Sequence, residues 1–181
     1  MRRYRSGWLQ AAGAAYLSVG LLIGVAPGLR DVRAEDVRAE EGHLAPDFAL
    51  NTLDGKKFRL SDLRGKKVVL INFWATWCPP CRLEMPTMQQ IYSEYGKKGF
   101  EVLAINIEPD AKEEIRDFVK ELRLTFPVLL DPQMKVVREY RLFGLPVSIL
   151  VDRKGIVRAR DTGYHDWTDK ESRRHVESLL R

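Results

Sequence analysis

A chain of 181 residues with 45% hydrophobic content holds one well-packed domain of ordinary size and an N-terminal extension, and leaves no room for a second catalytic domain. The net charge of +5 is concentrated at the start, where Arg2, Arg3 and Arg5 hold three of the positive charges and leave a small balance for all that follows. So small a balance excludes a nucleic-acid surface.

No charged side chain occurs from Gly7 to Leu29, a run close to the roughly 20 apolar residues that cross a bilayer as a helix. Arginines crowd its N-terminal side and mixed charges follow it, so the positive-inside bias puts the N-terminus in the cytoplasm. Residues 1–29 therefore read as a single-pass signal-anchor. A cleaved secretory signal is the alternative, which Ala14, Ala15 and the small residues before Pro27 leave open. On either reading the rest of the chain is extracytoplasmic, at the outer face of a bacterial membrane or in a periplasm. Residues 30–44 are densely charged and repeat themselves as Asp31-Val32-Arg33-Ala34-Glu35 and Asp36-Val37-Arg38-Ala39-Glu40, which predicts a solvated linker outside any core.

The domain is expected over residues 45–181. Phe48, Leu50 and Leu53 alternate with polar residues up to the turn signal Asp54-Gly55, and Phe58-Arg59-Leu60 resumes the alternation, so a hairpin opens the domain. Val68 to Trp74 is a β-branched apolar run, the pattern of a strand buried on both faces. A helix follows from Pro80 to Tyr95, with Leu83, Met88, Ile91 and Tyr95 on its apolar face, Pro86 kinking it, and Gly96 and Gly99 closing it. Strands are expected at Phe100–Ile107, Phe126–Leu130, Val147–Val151 and Ile156–Ala159, and helices at Ala111–Leu122, Gln133–Tyr140 and Asp166–Leu180. Strands alternating with helices make this an α/β domain with a central mixed sheet.

Two cysteines, Cys78 and Cys81, stand two residues apart where the apolar strand meets the helix. Unpaired N–H groups and the positive end of the helix dipole stabilise a thiolate there, which makes Cys78 the better nucleophile. Cys81, one turn on, can attack the mixed disulfide that Cys78 forms with a substrate and so close a redox-active Cys78–Cys81 disulfide. Pro79 and Pro80 restrict the backbone between the sulfurs, and Pro80 fits the first helical turn. A structural zinc site lacks a second cysteine pair, and His43, His165 and His175 are scattered. Covalent haem attachment wants His after the second cysteine, where Arg82 stands. A purely structural bridge over two residues closes too small a loop to stabilise much. No metal or organic cofactor is called for.

Five stretches resemble the thioredoxin superfamily, and more closely its ResA/TlpA-like branch of anchored thiol-disulfide oxidoreductases. They are Ala45-Pro46-Asp47-Phe48, Leu60 to Lys66, Asn72-Phe73-Trp74-Ala75-Thr76-Trp77-Cys78-Pro79-Pro80-Cys81, Glu84-Met85-Pro86 and Gly144-Leu145-Pro146. The resemblance implies a thioredoxin-like fold with an added N-terminal β-hairpin. It also implies that Trp74 and Trp77 are the active-site tryptophans, and that Pro146 is a cis-proline presenting backbone to a substrate polypeptide. Substrate contact is assigned to Trp77, Pro79, Pro80, Leu145 and Pro146. Val147 stands where many relatives have Thr. Thioredoxin proper carries a buried aspartate at the place of Asn72, as proton acceptor for the second thiol; an amide cannot take that proton, and Glu84 matches the glutamate that this branch uses instead.

The implied activity is reduction of protein disulfides in an oxidising compartment, with apocytochrome c as substrate during cytochrome c maturation and a membrane thiol-transfer protein as electron donor. Three alternatives stand beside it. A peroxiredoxin-like thiol peroxidase shares the fold and the Ala45–Phe48 opening, but Cys78 lacks the upstream proline of that chemistry. A disulfide-forming oxidant differs only in redox potential. An anchored, non-catalytic binding module has no use for the cysteine pair.

Overall fold

The computed structural model describes residues 37–181; the expected anchor and the first part of the expected linker lie outside the described residues. Among the described residues no helix is long and apolar enough to cross a membrane.

Strand β3 (Val68–Trp74) is buried at every position, as its apolar run, broken only at Asn72, predicts. It pairs in parallel with β4 (Phe100–Asn106) and antiparallel with β6 (Val147–Val151). Beyond β4 lie β5 (Val128–Leu130) and the hairpin of β1 (Ala49–Thr52) and β2 (Lys57–Arg59), while β7 (Val157–Thr162) forms the other edge. The sheet is thus mixed and seven-stranded, in the order β2-β1-β5-β4-β3-β6-β7.

Because side chains alternate along a strand, β3 sends Val68, Leu70 and Trp74 to one face and Val69, Ile71 and Phe73 to the other. The first face packs on Met85, Met88 and Ile91 of α1 (Pro79–Tyr95), Phe118 of α2 (Lys112–Glu121) and Val176 of α4 (Lys170–Leu180). The second packs on Val136 of α3 (Lys135–Glu139), Tyr140 and Phe48. Helices cover both faces, and the α/β architecture with its opening hairpin is the one expected.

Three expectations change. The linker reading does not hold for residues 37–44: Ala39 is buried in the second core, Val37 and Leu44 form bridges, and the N–H groups of Gly42 and Ala45 donate to Val157 and Gly155 carbonyls at 2.9 Å. Arg160 holds this segment from β7, donating to the carbonyls of Ala39 and Tyr140. Charge density alone does not exclude a segment whose backbone groups find partners. Leu83 is exposed and leaves the apolar face to Cys81, Glu84, Met85, Met88, Ile91 and Tyr95. Five residues from Leu83 to Met88 exceed the three-to-four spacing of one helical face, whereas 81, 84, 85, 88 and 91 keep it. Finally, α4 begins at Lys170, capped by the Asp169 carboxylate, so Trp167 lies in the loop before it.

Met88→Ala is expected to destabilise the oxidised protein by about 2–5 kcal/mol and Leu83→Ala by under about 0.5 kcal/mol, measured from urea unfolding midpoints at unchanged slope.

Candidate active site

Strand β3 runs into the turn Ala75-Thr76-Trp77, and α1 starts immediately after it. Cys78 is the N-cap, in extended backbone, and its sulfur accepts from the Cys81 N–H at 3.3 Å. Pro79 and Pro80 occupy the first helical positions, where a missing N–H has no intrahelical role. Cys78 and Cys81 are joined in a disulfide, S–S 2.02 Å and Cα–Cα 5.3 Å. The turn itself is gripped by Glu108, whose two carboxylate oxygens accept from the Thr76 N–H at 2.6 Å and the Thr76 hydroxyl at 2.8 Å. The Asn106 side chain braces Glu108 by donating to its carboxylate at 2.8 Å. Neither residue is marked by any sequence motif; the last residue of β4 and the loop after it bring them to the turn.

Trp77, Cys78, Pro79, Pro80 and Leu145 line one open apolar groove, whose far wall includes Met134, Leu142 and Phe143. Trp77 is 66% exposed and Phe143 wholly so. Pro146 lies behind Leu145, buried; the Leu145–Pro146 peptide bond is cis, and the Pro146 carbonyl accepts from the Gly163 N–H at 2.9 Å. Trp74 is fully buried, its ring 4.7 Å from that of Phe118, and stands in the core rather than in the groove.

Beneath the disulfide, Glu84 is fully buried. It shares the inward face of α1 with Cys81, one turn away. Its Oε1 accepts from the Trp167 indole N–H at 2.8 Å and the Ser148 hydroxyl at 2.9 Å. Its Oε2 has only a long contact, 3.5 Å, with the Asn72 amide nitrogen, which donates to Ser148 at 2.8 Å. The register explains the cluster. Asn72 of β3 faces Ser148 of β6, which faces Asp161 of β7, so one transverse row carries three polar residues on the α1 side of the sheet. Burial pushes the Glu84 carboxyl up from 4.5 to about 7; the bonds from Trp167, Ser148 and Asn72 oppose that shift, and the Asp161 charge adds to it.

Of the residues expected at the site, Trp77, Cys78, Pro79, Pro80 and Leu145 thus meet at the groove, Cys81 and Glu84 share the inward face of α1, and Pro146 is buried next to Leu145. The sequence reading passed over Trp167 and Ser148. Ser148 was legible as the lone polar residue in Val147–Val151, two residues after Pro146; Trp167 carried no signal, since its partner lies 83 positions away.

A thioredoxin-type sheet with a disulfide at the head of α1 and a cis-proline at the start of β6 defines a thiol-disulfide oxidoreductase. The profile of the AhpC/TSA family matches residues 42–160. The "Thiol-disulfide oxidoreductase ResA" of Geobacillus thermodenitrificans (strain NG80-2) is 43% identical over 139 residues, 76% of this chain and 77% of its own. Among solved structures, a putative thiol:disulfide interchange protein DsbE from Chlorobium tepidum is 36% identical, with a TM-score of 0.70 over 78% of this chain and 99% of its own. StoA from Bacillus subtilis is 25% identical, with a TM-score of 0.60 over 73% and 95%. The chain belongs to the AhpC/TSA family and, within it, to the ResA-like thiol-disulfide oxidoreductases.

Glu84 predicts a pH dependence of stability. Between 4.5 and about 7 the folded chain holds a proton that the unfolded chain has lost, so stability falls as pH rises through that window and levels off above it. The loss amounts to about 3 kcal/mol. Glu84→Gln, neutral throughout, is expected to remove most of this slope, read as urea midpoints at about pH 5 and about pH 8.

Proposed function

We propose that this protein reduces disulfides of exported polypeptides, with Cys78 as nucleophile, Cys81 as resolving thiol and Glu84 as proton acceptor. The observation that carries this reading is the asymmetry of the two sulfurs. Both are nearly buried, Cys78 3% and Cys81 1% exposed, but Cys78 lines the groove and caps α1, whereas Cys81 is off the groove, on the inward face of α1 with Glu84. The Cys78 thiolate attacks one sulfur of the substrate disulfide, forming a mixed disulfide and releasing the other substrate sulfur as thiolate. Glu84 then takes the proton from the Cys81 thiol, and the Cys81 thiolate attacks the Cys78 sulfur. The Cys78–Cys81 disulfide forms, the second substrate sulfur leaves as a thiolate that solvent protonates, and two electrons have passed to the substrate. A carboxyl poised about neutrality suits that transfer.

Trp77, Pro79, Pro80, Leu145 and Pro146 are the substrate-contact residues in this reading: the first four line the groove, and Pro146 fixes the backbone behind Leu145. Export rests on the uncharged run Gly7–Leu29 after an arginine-rich start, read as an uncleaved anchor. Tethering raises the local concentration at a membrane thiol-transfer protein, the proposed electron donor. The proposed substrate is apocytochrome c, as the resemblance to the ResA/TlpA-like branch implies.

Turnover of a protein disulfide is expected to vanish in Cys78→Ser, while Cys81→Ser accumulates mixed disulfides on a non-reducing gel. Activity retained in Cys78→Ser refutes the assignment. The potential of the couple is expected near that of thioredoxin, about −270 mV, and a value near about −120 mV makes the protein an oxidant.

A further inference from the structure

The mechanism uses one atom of Glu84 and leaves a buried polar atom beside it unexplained. Glu84 Oε1 is saturated by Trp167 and Ser148, so Oε2, with only its 3.5 Å contact to Asn72, is the oxygen open to a proton. The neighbouring Asn72 Oδ1 is buried and has no hydrogen-bond partner among the described residues. A side-chain amide has two isosteric orientations. As found, Nδ2 faces Ser148 and Glu84 and Oδ1 is stranded; turned over, Oδ1 faces them and Nδ2 is stranded. One buried polar group is unpaired either way, and the Ser148 hydroxyl, 2.8 Å away, can accept from Nδ2 or donate to Oδ1, so the contact with Glu84 decides the orientation. A carboxylate selects the donor. A carboxylic acid, whose Oε2–H needs an acceptor, selects the oxygen, and the Ser148 hydroxyl turns its one proton from Oε1 to that oxygen while Trp167 keeps donating to Oε1.

We infer that Asn72 is a positioning residue whose side-chain amide turns over with the protonation state of Glu84, presenting Nδ2 to the carboxylate and Oδ1 to the carboxylic acid. The inference rests on the proton-acceptor reading of Glu84 and goes beyond it: the proton passed from Cys81 to Oε2 meets an acceptor at Asn72, and its later departure is met by a donor. Asn72 itself exchanges no proton. Cys81 on α1 is held in the disulfide and carries no titrating proton in the oxidised chain; the other ionisable groups of the cluster are Asp161 on β7, which faces Ser148, and His165, stacked 4.5 Å from Trp167 with its Nδ1 3.8 Å from Asp161.

The test is a pH titration of the full-length oxidised chain by NMR from about pH 5 to about pH 9, reading Glu84 Cδ and the Asn72 side-chain NH2 separately. The expected result is one shared midpoint, with the NOE from the Asn72 NH2 protons to Ser148 Hβ present at high pH and lost at low pH. Both changes disappear in Glu84→Gln. If Glu84 titrates while the Asn72 amide keeps its NOE, the inference is overturned and the proton-acceptor reading stands. If the Asn72 change survives in Glu84→Gln, it follows Asp161 or His165, and the inference is overturned. If Glu84 does not titrate, the proton-acceptor reading fails and takes the inference with it. Asn72→Asp, of the same shape, puts a second carboxyl against Oε2 and is expected to raise the Glu84 midpoint by about one pH unit or more, through like-charge repulsion. An unmoved midpoint in that variant also overturns the inference.

Discussion

The arrangement turns on a carboxyl group sealed under a disulfide. A buried carboxylate without partners costs far more than a domain of this size can spare, so Glu84 is tolerated only because the sheet beneath it supplies a hydroxyl and a long amide contact and the loop before α4 an indole N–H. Those donors come from β3, β6 and the loop before α4, and each reaches Glu84 only if α1 lies over the β3–β6 pair in its observed register. The position of the redox pair and the electrostatics below it are therefore one constraint. Moving α1 by a turn would strand Glu84 and lift the cysteines from the groove.

That constraint is propagated through the fold. The apolar run of β3 on both sides of Asn72 forces helices onto both faces of the sheet, and its alternation puts Asn72 in the row that α1 covers. The end of β3 is where the chain can stop being strand and start being helix, because Cys78 caps and two prolines need no donors. Glu108 gives the intervening turn a single conformation by holding Thr76 at two points. On the other side, Tyr140 donates to the Pro46 carbonyl at 2.7 Å and Arg160 binds the carbonyls of Ala39 and Tyr140, which anchors the base of the loop carrying Leu145 and Pro146. Cys78 borders the groove and Cys81 shares the inward face of α1 with the buried Glu84, so the two sulfurs have different surroundings although both are nearly buried.

Much of this was legible in the chain. Val68–Trp74 announced a central strand because every position but Asn72 is apolar, and the capping chemistry of Cys-Pro-Pro-Cys set the strand-to-helix junction. The opening hairpin followed from alternation around Asp54-Gly55. Local pattern failed where partners are remote. Leu83 looked like core by its apolarity, and helical phase put Glu84 there instead; residues 37–44 looked like solvent by charge, and paired backbone groups drew them onto the sheet.

The sequence by itself determined the chemistry available to this protein: two thiols at a helix N-terminus, a proline before a strand, and a carboxyl one turn beyond the second cysteine. These are local facts, governed by backbone geometry and spacing along one element. Only the tertiary structure decided what environment each group has. Ser148 lies 64 positions from Glu84 and Trp167 lies 83, so their contact with it depends on sheet register and helix docking rather than on any motif. Burial, and with it the proton affinity of Glu84, is a property of the assembled layers, because desolvation is set by every neighbour at once.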